Sequence, residues 1–442
     1  MIITLVAFFV VLGVLVLVHE LGHFVTAKRG GVRVEEFGFG LPPRIFGIQL
    51  LSSQKLKKIA QVEVIDLSIK EQSAVENKQI IEEKIVDKVT EIDQIVPVRK
   101  WRLVWFNQKI DEDNNQAAGK WGTVYSLNWI PLGGFVKIKG EEGGTSPDPD
   151  SFVNKSVWRR IWIISAGVLM NLVLAAFLLS ISLTLGSPQF IDGNLPKMAQ
   201  VRDVEIRVME VLPDSPANQA GMEVGDVVLA VDNNDVLQIG KLQDYFTQKI
   251  SQKVSLTIKR DGKILVKEMT PQLLSQTNKG GVGVALTRTG FVSYPWYIAW
   301  WYGLIKTFEM VGGVFYGFYL IIKSLVVSHQ MIGDVYGPVG IATLVGDAAR
   351  SGFLYILQFT AVLSIIIAVI NFLPFPALDG GRVFFLLIEA IRKKPINQKL
   401  EAALHNIGFA LLMILVVIVT FRDIARVSSG FLNWWQKLIS LF

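Results

Sequence analysis

Five consecutive residues, His19-Glu20-Leu21-Gly22-His23, carry the first chemistry in this chain. On a helix, residues four apart share a face, so His19 and His23 can grip one metal ion between them. Glu20, one position on, can reach water at such an ion as a general base. Two imidazoles with a vacant coordination position suit Zn2+. The chain has four histidines and no cysteine, so a thiol nucleophile, a disulfide and a thiolate metal site are excluded. Any metal must be held by His and carboxylate. The same spacing occurs by chance in soluble helices, where the side chains simply face water. Here it closes the apolar run Val14-Leu15-Val16-Leu17-Val18, and ionisable groups at the end of such a run are costly unless they are used.

Two histidines leave at least one protein ligand to be found. His329, His405 and carboxylates within apolar segments are the candidates, and Asp379 is the strongest. It lies in Asn371-Phe372-Leu373-Pro374-Phe375-Pro376-Ala377-Leu378-Asp379-Gly380-Gly381. The two prolines break an apolar segment and release backbone groups, which is tolerated where the chain lines a cavity or packs on protein. The same residues also read as a plain turn leaving the membrane, with Asp379 as N-cap of the next helix. Asn171, inside another apolar segment, reads from its type as an interhelical hydrogen-bonding residue.

The elements that must position these residues are membrane helices. Residues AVILMFWYC make up 51% of the 442 residues, charged residues only 19%, and mean hydropathy is +0.42. A soluble domain carries about 25% charge, so an ordinary soluble enzyme is excluded. Stretches near 2–25, 157–185, 353–375 and 402–421 each reach the roughly 20 apolar residues that a span needs. The first is read as a retained span, since no basic region precedes it as in a signal peptide. A fifth apolar stretch, 294–327, is interrupted by Lys306, Glu309 and Lys323 and is read as interfacial or re-entrant.

The net charge of +6 falls mostly on flanks: Lys28, Arg29, Arg33 and Arg44; Lys155, Arg159 and Arg160; Arg392, Lys393, Lys394 and Lys399. With four spans all these flanks lie on one side, the cytoplasmic one, which excludes a nucleic-acid surface as the better explanation of the charge. The expected organisation is then a first span with its loop over 1–50 and a cytoplasmic insert over 51–120. A third segment, 121–189, holds a turn-containing element and the second span. Residues 190–288 form a β-rich outward domain. An interfacial segment over 289–352 follows, and 353–442 hold the last two spans and an interfacial tail. Alternation in Val254-Ser255-Leu256-Thr257-Ile258 and the turn pair Asp261-Gly262 carry the β reading of 190–288. Periodicity does not decide between strand and helix for the insert.

These motifs together resemble the site-2 protease family, in its bacterial RseP-like branch. The resemblance rests on His19 to His23, on Asn371 to Gly381 with its Leu-Asp-Gly-Gly core, and on Pro131-Leu132-Gly133-Gly134-Phe135-Val136-Lys137. It rests also on Gly337-Pro338-Val339-Gly340-Ile341 and on the order of all four. Within 190–288, Val211 to Ala217, Ala220-Gly221-Met222 and Val224 to Val228 resemble bacterial PDZ domains. There Ser215 would be an N-cap, Pro216 N1 and Gly221 a helix stop. The resemblance implies a polytopic α-helical membrane protein of about four transmembrane helices, with a membrane-associated β-hairpin and an inserted PDZ-like α+β domain. It implies zinc ligands His19, His23 and Asp379 and Glu20 as catalytic base. It also implies a hairpin around Gly133 and Gly134 near the site that holds an unwound substrate strand. Asn171 and Asn371 would support substrate or oxyanion.

The implied activity is zinc-dependent intramembrane endopeptidase, in a bacterial plasma membrane, with the PDZ-like domain outside the cytoplasm. Its partners would be single-span membrane proteins such as anti-sigma factors or remnant signal peptides, the lipid bilayer, and a peptide on the PDZ-like domain, with no nucleic acid. A catalytically inactive PDZ scaffold and a metal transporter compete, and Glu20 in helical register with the histidines favours hydrolysis. RseP-like proteins often carry two PDZ domains; a single one is recognisable here, and the 51–120 insert has no counterpart from which a role could be inherited.

Overall fold

The computed structural model describes residues 2–61, 90–106, 122–141, 148–191, 198–235, 238–260, 262–274, 279–327 and 336–439. In chain order the elements are α1 (Ile2–Arg29), β1 (Val34–Gln61), β2 (Thr90–Trp105), β3 (Val124–Ile138), α2 (Val157–Leu185), β4 (Ser187–Phe190) and β5 (Gln200–Val211). Then come α3 (Pro216–Gln219), β6 (Val227–Val231), β7 (Asn234–Asp235), α4 (Ile239–Gln248), β8 (Val254–Arg260), β9 (Lys263–Met269), β10 (Gln272–Leu274), β11 (Lys279–Gly281) and β12 (Val284–Ser293). The remainder is helical: α5 (Trp296–Val327), α6 (Pro338–Ser351), α7 (Phe353–Phe372), α8 (Asp379–Arg392) and α9 (Gln398–Ile439). Two compact units contain them: Met1–Val11 with Val168–Leu373 and Phe409–Phe442, and Leu12–Gly167 with Pro374–Gly408.

Among the described residues five helices are long and apolar enough to cross a membrane: Ile2–Arg29, Val157–Leu185, Trp296–Val327, Phe353–Phe372 and Lys399–Arg426. Residues 294–327, read from the sequence as interfacial or re-entrant, thus supply one of the five by length and composition. α5 is one continuous helix of 32 residues. Its charges do not interrupt it because Lys306 and Glu309, three apart and hence on one face, pair at 2.7 Å.

In the first unit, a sheet of order β4-β12-β5-β6-β8-β9, with β7 on β6, packs its inner face with α3 and α4 around Val208, Ala217, Leu242, Phe246, Leu256 and Ile258. The local chemistry is that expected of the sequence: Asn218 N–H donates to Ser215 Oγ at 3.2 Å, Pro216 follows as first helical residue, and Gly221 takes φ +71 beyond the end. The helical part of this unit is joined by an apolar cluster in which two alanines let α2 and α7 meet. Ala175 and Leu179 of α2 meet Ala361, Ile365 and Val369 of α7, with Met310 and Val314 of α5 against them. Asn171 is fully buried there, and its carbonyl accepts from Ser364 Oγ at 2.7 Å.

In the second unit, β2, β1 and β3 form an antiparallel sheet in that order. Phe46 stands opposite Trp105 on one side and Leu127 on the other; Ile48 stands opposite Leu103 and Tyr125. The alternation is inverted relative to a water-facing sheet. Gln49, Val104, Val124, Ser126 and Asn128 are buried, while Ile48, Leu103, Trp105, Tyr125, Leu127 and Trp129 are exposed. An outward aromatic and aliphatic face suits lipid and its interface. The described parts of the 51–120 region are strands, continuing β1 past residue 50 and adding β2; the rest of it lies outside the described residues.

Candidate metal centre

α1 presents His19 and His23 on one face near its C-terminal end, and both are buried. His23 is oriented by a hydrogen bond in which Nδ1 donates to the carbonyl of Ile163 in α2 at 2.9 Å. With its proton on Nδ1, the ring turns the Nε2 lone pair toward the site, the arrangement of a metal-ligating histidine. The two rings sit edge to face at 4.8 Å between centroids. They can pack this tightly against α2 because residue 167 is glycine: a Cβ there would overlap His23 Nε2 and lie 2.8 Å from His19 Cε1.

Asp379 comes from the other end of the chain. Leu378 has extended backbone and is the N-cap of α8, so Asp379 is the first helical residue. That corrects the alternative in which Asp379 itself was the cap. Its carboxylate stands where the helix dipole favours negative charge. α8 is fixed on several sides. Arg382 pairs with Glu141 just beyond β3, and Arg160 of α2 pairs with Glu389. Val383 and Leu386 are buried among Ala27, Ile138, Ile163 and Ile164. The carboxylate is thus delivered by packing between residues 360 positions apart.

Asp379 Oδ2 lies 2.9 Å from His19 Nε2 and 3.4 Å from His23 Nε2, and the two Nε2 atoms are 3.2 Å apart. Three atoms bound to one tetrahedral zinc at about 2.0–2.1 Å would be separated by about 3.3 Å. The donor set, its spacing and the oriented His23 ring therefore fit a zinc ion. Glu20 is half-buried and follows His19 by about 100° around the helix. His405 does not join the three; its Nδ1 accepts from Ala377 N–H at 2.9 Å. His329 lies outside the described residues.

β3 runs beside this end of α1. Gly133 has φ +73, and a Cβ on it would lie 2.5 Å from Val16 Cβ; one on Gly134 would lie 2.9 Å from the Gly38 carbonyl and 3.5 Å from Leu17 Cδ1. Only glycines allow the strand to approach the helix one turn before His19. Phe24 packs against Phe37 with the rings tilted and their centroids 4.7 Å apart, and Lys28 Nζ donates to Tyr125 OH at 3.0 Å, so the sheet follows α1 toward its end. The Gly134–Ile138 arm pairs with β1 on one side, and no described strand pairs with its other side. Asn171 and Asn371 belong to the first unit.

Sequence reasoning did not identify Gly167 or the Ile163 carbonyl. Small residues in Ser165-Ala166-Gly167 signal a close helix approach, but not against what.

The family model of peptidase family M50 matches residues 7–60 and 115–415, leaving out most of the insert. The chain is similar to the regulator of sigma-W protease RasP of Bacillus subtilis, 30% identical over 443 residues, covering 96% of this chain and 98% of that protein. It is similar to zinc metalloprotease RasP of Oceanobacillus iheyensis, 29% identical over 447 residues, covering 96% and 99%. Among solved structures there is similarity to the PDZ domain of the SdrC-like protein from Listeria monocytogenes, at 20% identity over 21% of this chain and 93% of that domain, with TM-score 0.18.

Proposed function

The chain belongs to peptidase family M50, and from that premise we propose that it is a zinc-dependent intramembrane endopeptidase cutting within the membrane segments of single-span proteins. The observation that carries the reading is the meeting of His19, His23 and Asp379, with ligating atoms within 4.8 Å of one another, at the end of an apolar helix that also bears Glu20. His19, His23 and Asp379 would hold zinc. When bound, zinc supplies a Lewis acid that polarises a carbonyl and acidifies water. Glu20 takes a proton from the attacking water and delivers it to the leaving amide nitrogen, one residue serving as base and then acid. The Gly134–Ile138 arm holds the substrate in extended form by strand addition, which unwinds the helix that would otherwise shield its peptide bonds. The exposed apolar face of the sheet rests against lipid. Asn171 and Asn371 are proposed as supporting residues, on the ground of their polar type within apolar helices.

The proposed substrates are of the anti-sigma-factor kind, or remnant signal peptides; the name of the Bacillus subtilis relative, a regulator of sigma-W protease, supports the first. The PDZ-like domain is placed outside the cytoplasm, where it restricts access by bulky external domains. The basic flanks agree on one side only if four of the five candidate helices cross, with α5 the exception.

The test is metal content and cleavage of a model transmembrane substrate by the same purified variants. Glu20→Gln should keep zinc and lose cleavage. His19→Ala and Asp379→Ala should lose both. Full zinc in the two ligand variants would overturn the ligand assignment; cleavage by Glu20→Gln would overturn the role of the base.

A further inference from the structure

We propose that His405 is a positioning residue for Asp379: it holds, through its Nδ1, the turn that aims the carboxylate at the histidine pair. Ala377 lies two residues before Asp379 and has φ +81, a left-handed conformation that a residue with a Cβ adopts only when its surroundings impose it. His405 imposes it. The Ala377 N–H donates to His405 Nδ1 at 2.9 Å. One turn further along α9, Gly408 presents bare backbone to the same turn: a Cβ there would lie 2.5 Å from the Pro376 carbonyl oxygen and 2.6 Å from Pro376 Cβ. On the other side, Leu378 N–H donates to the Phe375 carbonyl at 3.2 Å, and Gly381 N–H to the Leu378 carbonyl at 3.1 Å, so the turn runs directly into the first turn of α8. No freely rotating residue separates the His405 contact from the Asp379 backbone.

His405 stands in the apolar helix Lys399–Arg426, which is long and apolar enough to cross a membrane, and there an ionisable side chain is costly unless engaged. It is not a member of the metal-ligating group, so its place there needs another use. Of the charged or ionisable residue types, histidine offers an accepting ring nitrogen at this height without a formal charge. An asparagine can present an oxygen in nearly the same place; a phenylalanine fills the volume and accepts nothing.

The proposal rests on the reading of Asp379 as a zinc ligand, so Asp379→Ala is measured alongside. Zinc affinity is read by chelator competition on the full-length protein in detergent, and kcat and KM on a trimmed transmembrane substrate. His405→Phe should weaken zinc about 10–100-fold, the usual effect of removing a group that orients a ligand. It should lower kcat with KM within about twofold, because substrate contacts are untouched. His405→Asn should restore most of both. Ala377→Gly in the His405→Phe background should also restore most of both, since glycine takes φ +81 without an imposed hydrogen bond. That rescue separates positioning from a general packing role, which the ring of Phe already supplies, and it serves equally if His405→Phe alone folds poorly. Zinc lost in Asp379→Ala but held at wild-type affinity in His405→Phe, with unchanged kcat, would overturn the positioning role alone. Failure of both rescues would do the same. Zinc retained in Asp379→Ala would overturn both readings, there being no ligand to position.

Discussion

Gly167→Ala isolates the geometry of the site from the stability of the fold. The residue lies within α2, where alanine is the better helix former by about 1 kcal/mol, so secondary structure should gain. The added methyl, however, would lie 2.8 Å from His19 Cε1 and overlap His23 Nε2. Carbon atoms sit comfortably at about 3.5–4.0 Å, so His19 must retreat by about 1 Å and His23 by more. Relief by α2 is resisted because Ile163 and Ile164, just upstream, are packed between α1 and α8. Metal ligands tolerate about 0.2 Å. A displacement near 1 Å therefore removes at least one ligand, and misplacement on that scale costs about 100-fold in rate. The expected result is zinc weakened about 100-fold or more with a melting temperature unchanged or raised, read by chelator competition and thermal denaturation on one preparation. Wild-type zinc affinity and kcat in Gly167→Ala would refute the claim that the two histidines sit where they do because residue 167 is glycine.

Further predictions concern the outer parts. Val266 is exposed on β9, and the chain lacks cysteine, so Val266→Cys should react with a membrane-impermeant maleimide from outside intact cells; reaction only after the membrane is opened would place the domain inside. Replacing residues 200 to 275 by a short linker should leave zinc and cleavage of a trimmed substrate largely intact and raise cleavage of the untrimmed one. A persistent preference for trimmed substrate would move the filter elsewhere. Burial pushes the Asp226 carboxyl up, but Arg260, donating at 2.6 and 2.7 Å, and Glu223 N–H, at 2.9 Å, pull it further down, below the ordinary carboxylate range. Such a depressed group contributes its stability in full above the unfolded value of about 3.9 and loses it as pH falls through the folded one. Amide protection in β6 and β8 should therefore decline below about pH 4, and Asp226→Asn should flatten that decline; an unchanged slope in the variant would show the pair is not its source.

What the chain declares by itself is what short-range geometry enforces. His19 and His23 share a face because a helix repeats every 3.6 residues, and the apolar run before them makes that helix membrane-seeking. Ser215, Pro216 and Gly221 bound α3 through contacts within a single turn, and were legible for the same reason. Asp379 could be singled out because prolines beside an aspartate in an apolar segment are anomalous. Its arrival 2.9 Å from His19 required α8 to be docked on α1 and α2, which is long-range packing. Gly167 and His405 stood out in the sequence as a small residue and a histidine in apolar segments, but nothing local gave their partners. One matters for the atom it lacks, the other for a backbone N–H that exists only once the chain has turned at Ala377. The continuity of α5 was hidden because Lys306 and Glu309 look like an interruption until helical spacing lets them neutralise each other. The third strand, β2, was hidden because strand partners are chosen by register across the sheet, and nothing within Thr90–Trp105 specifies that Trp105 will face Phe46.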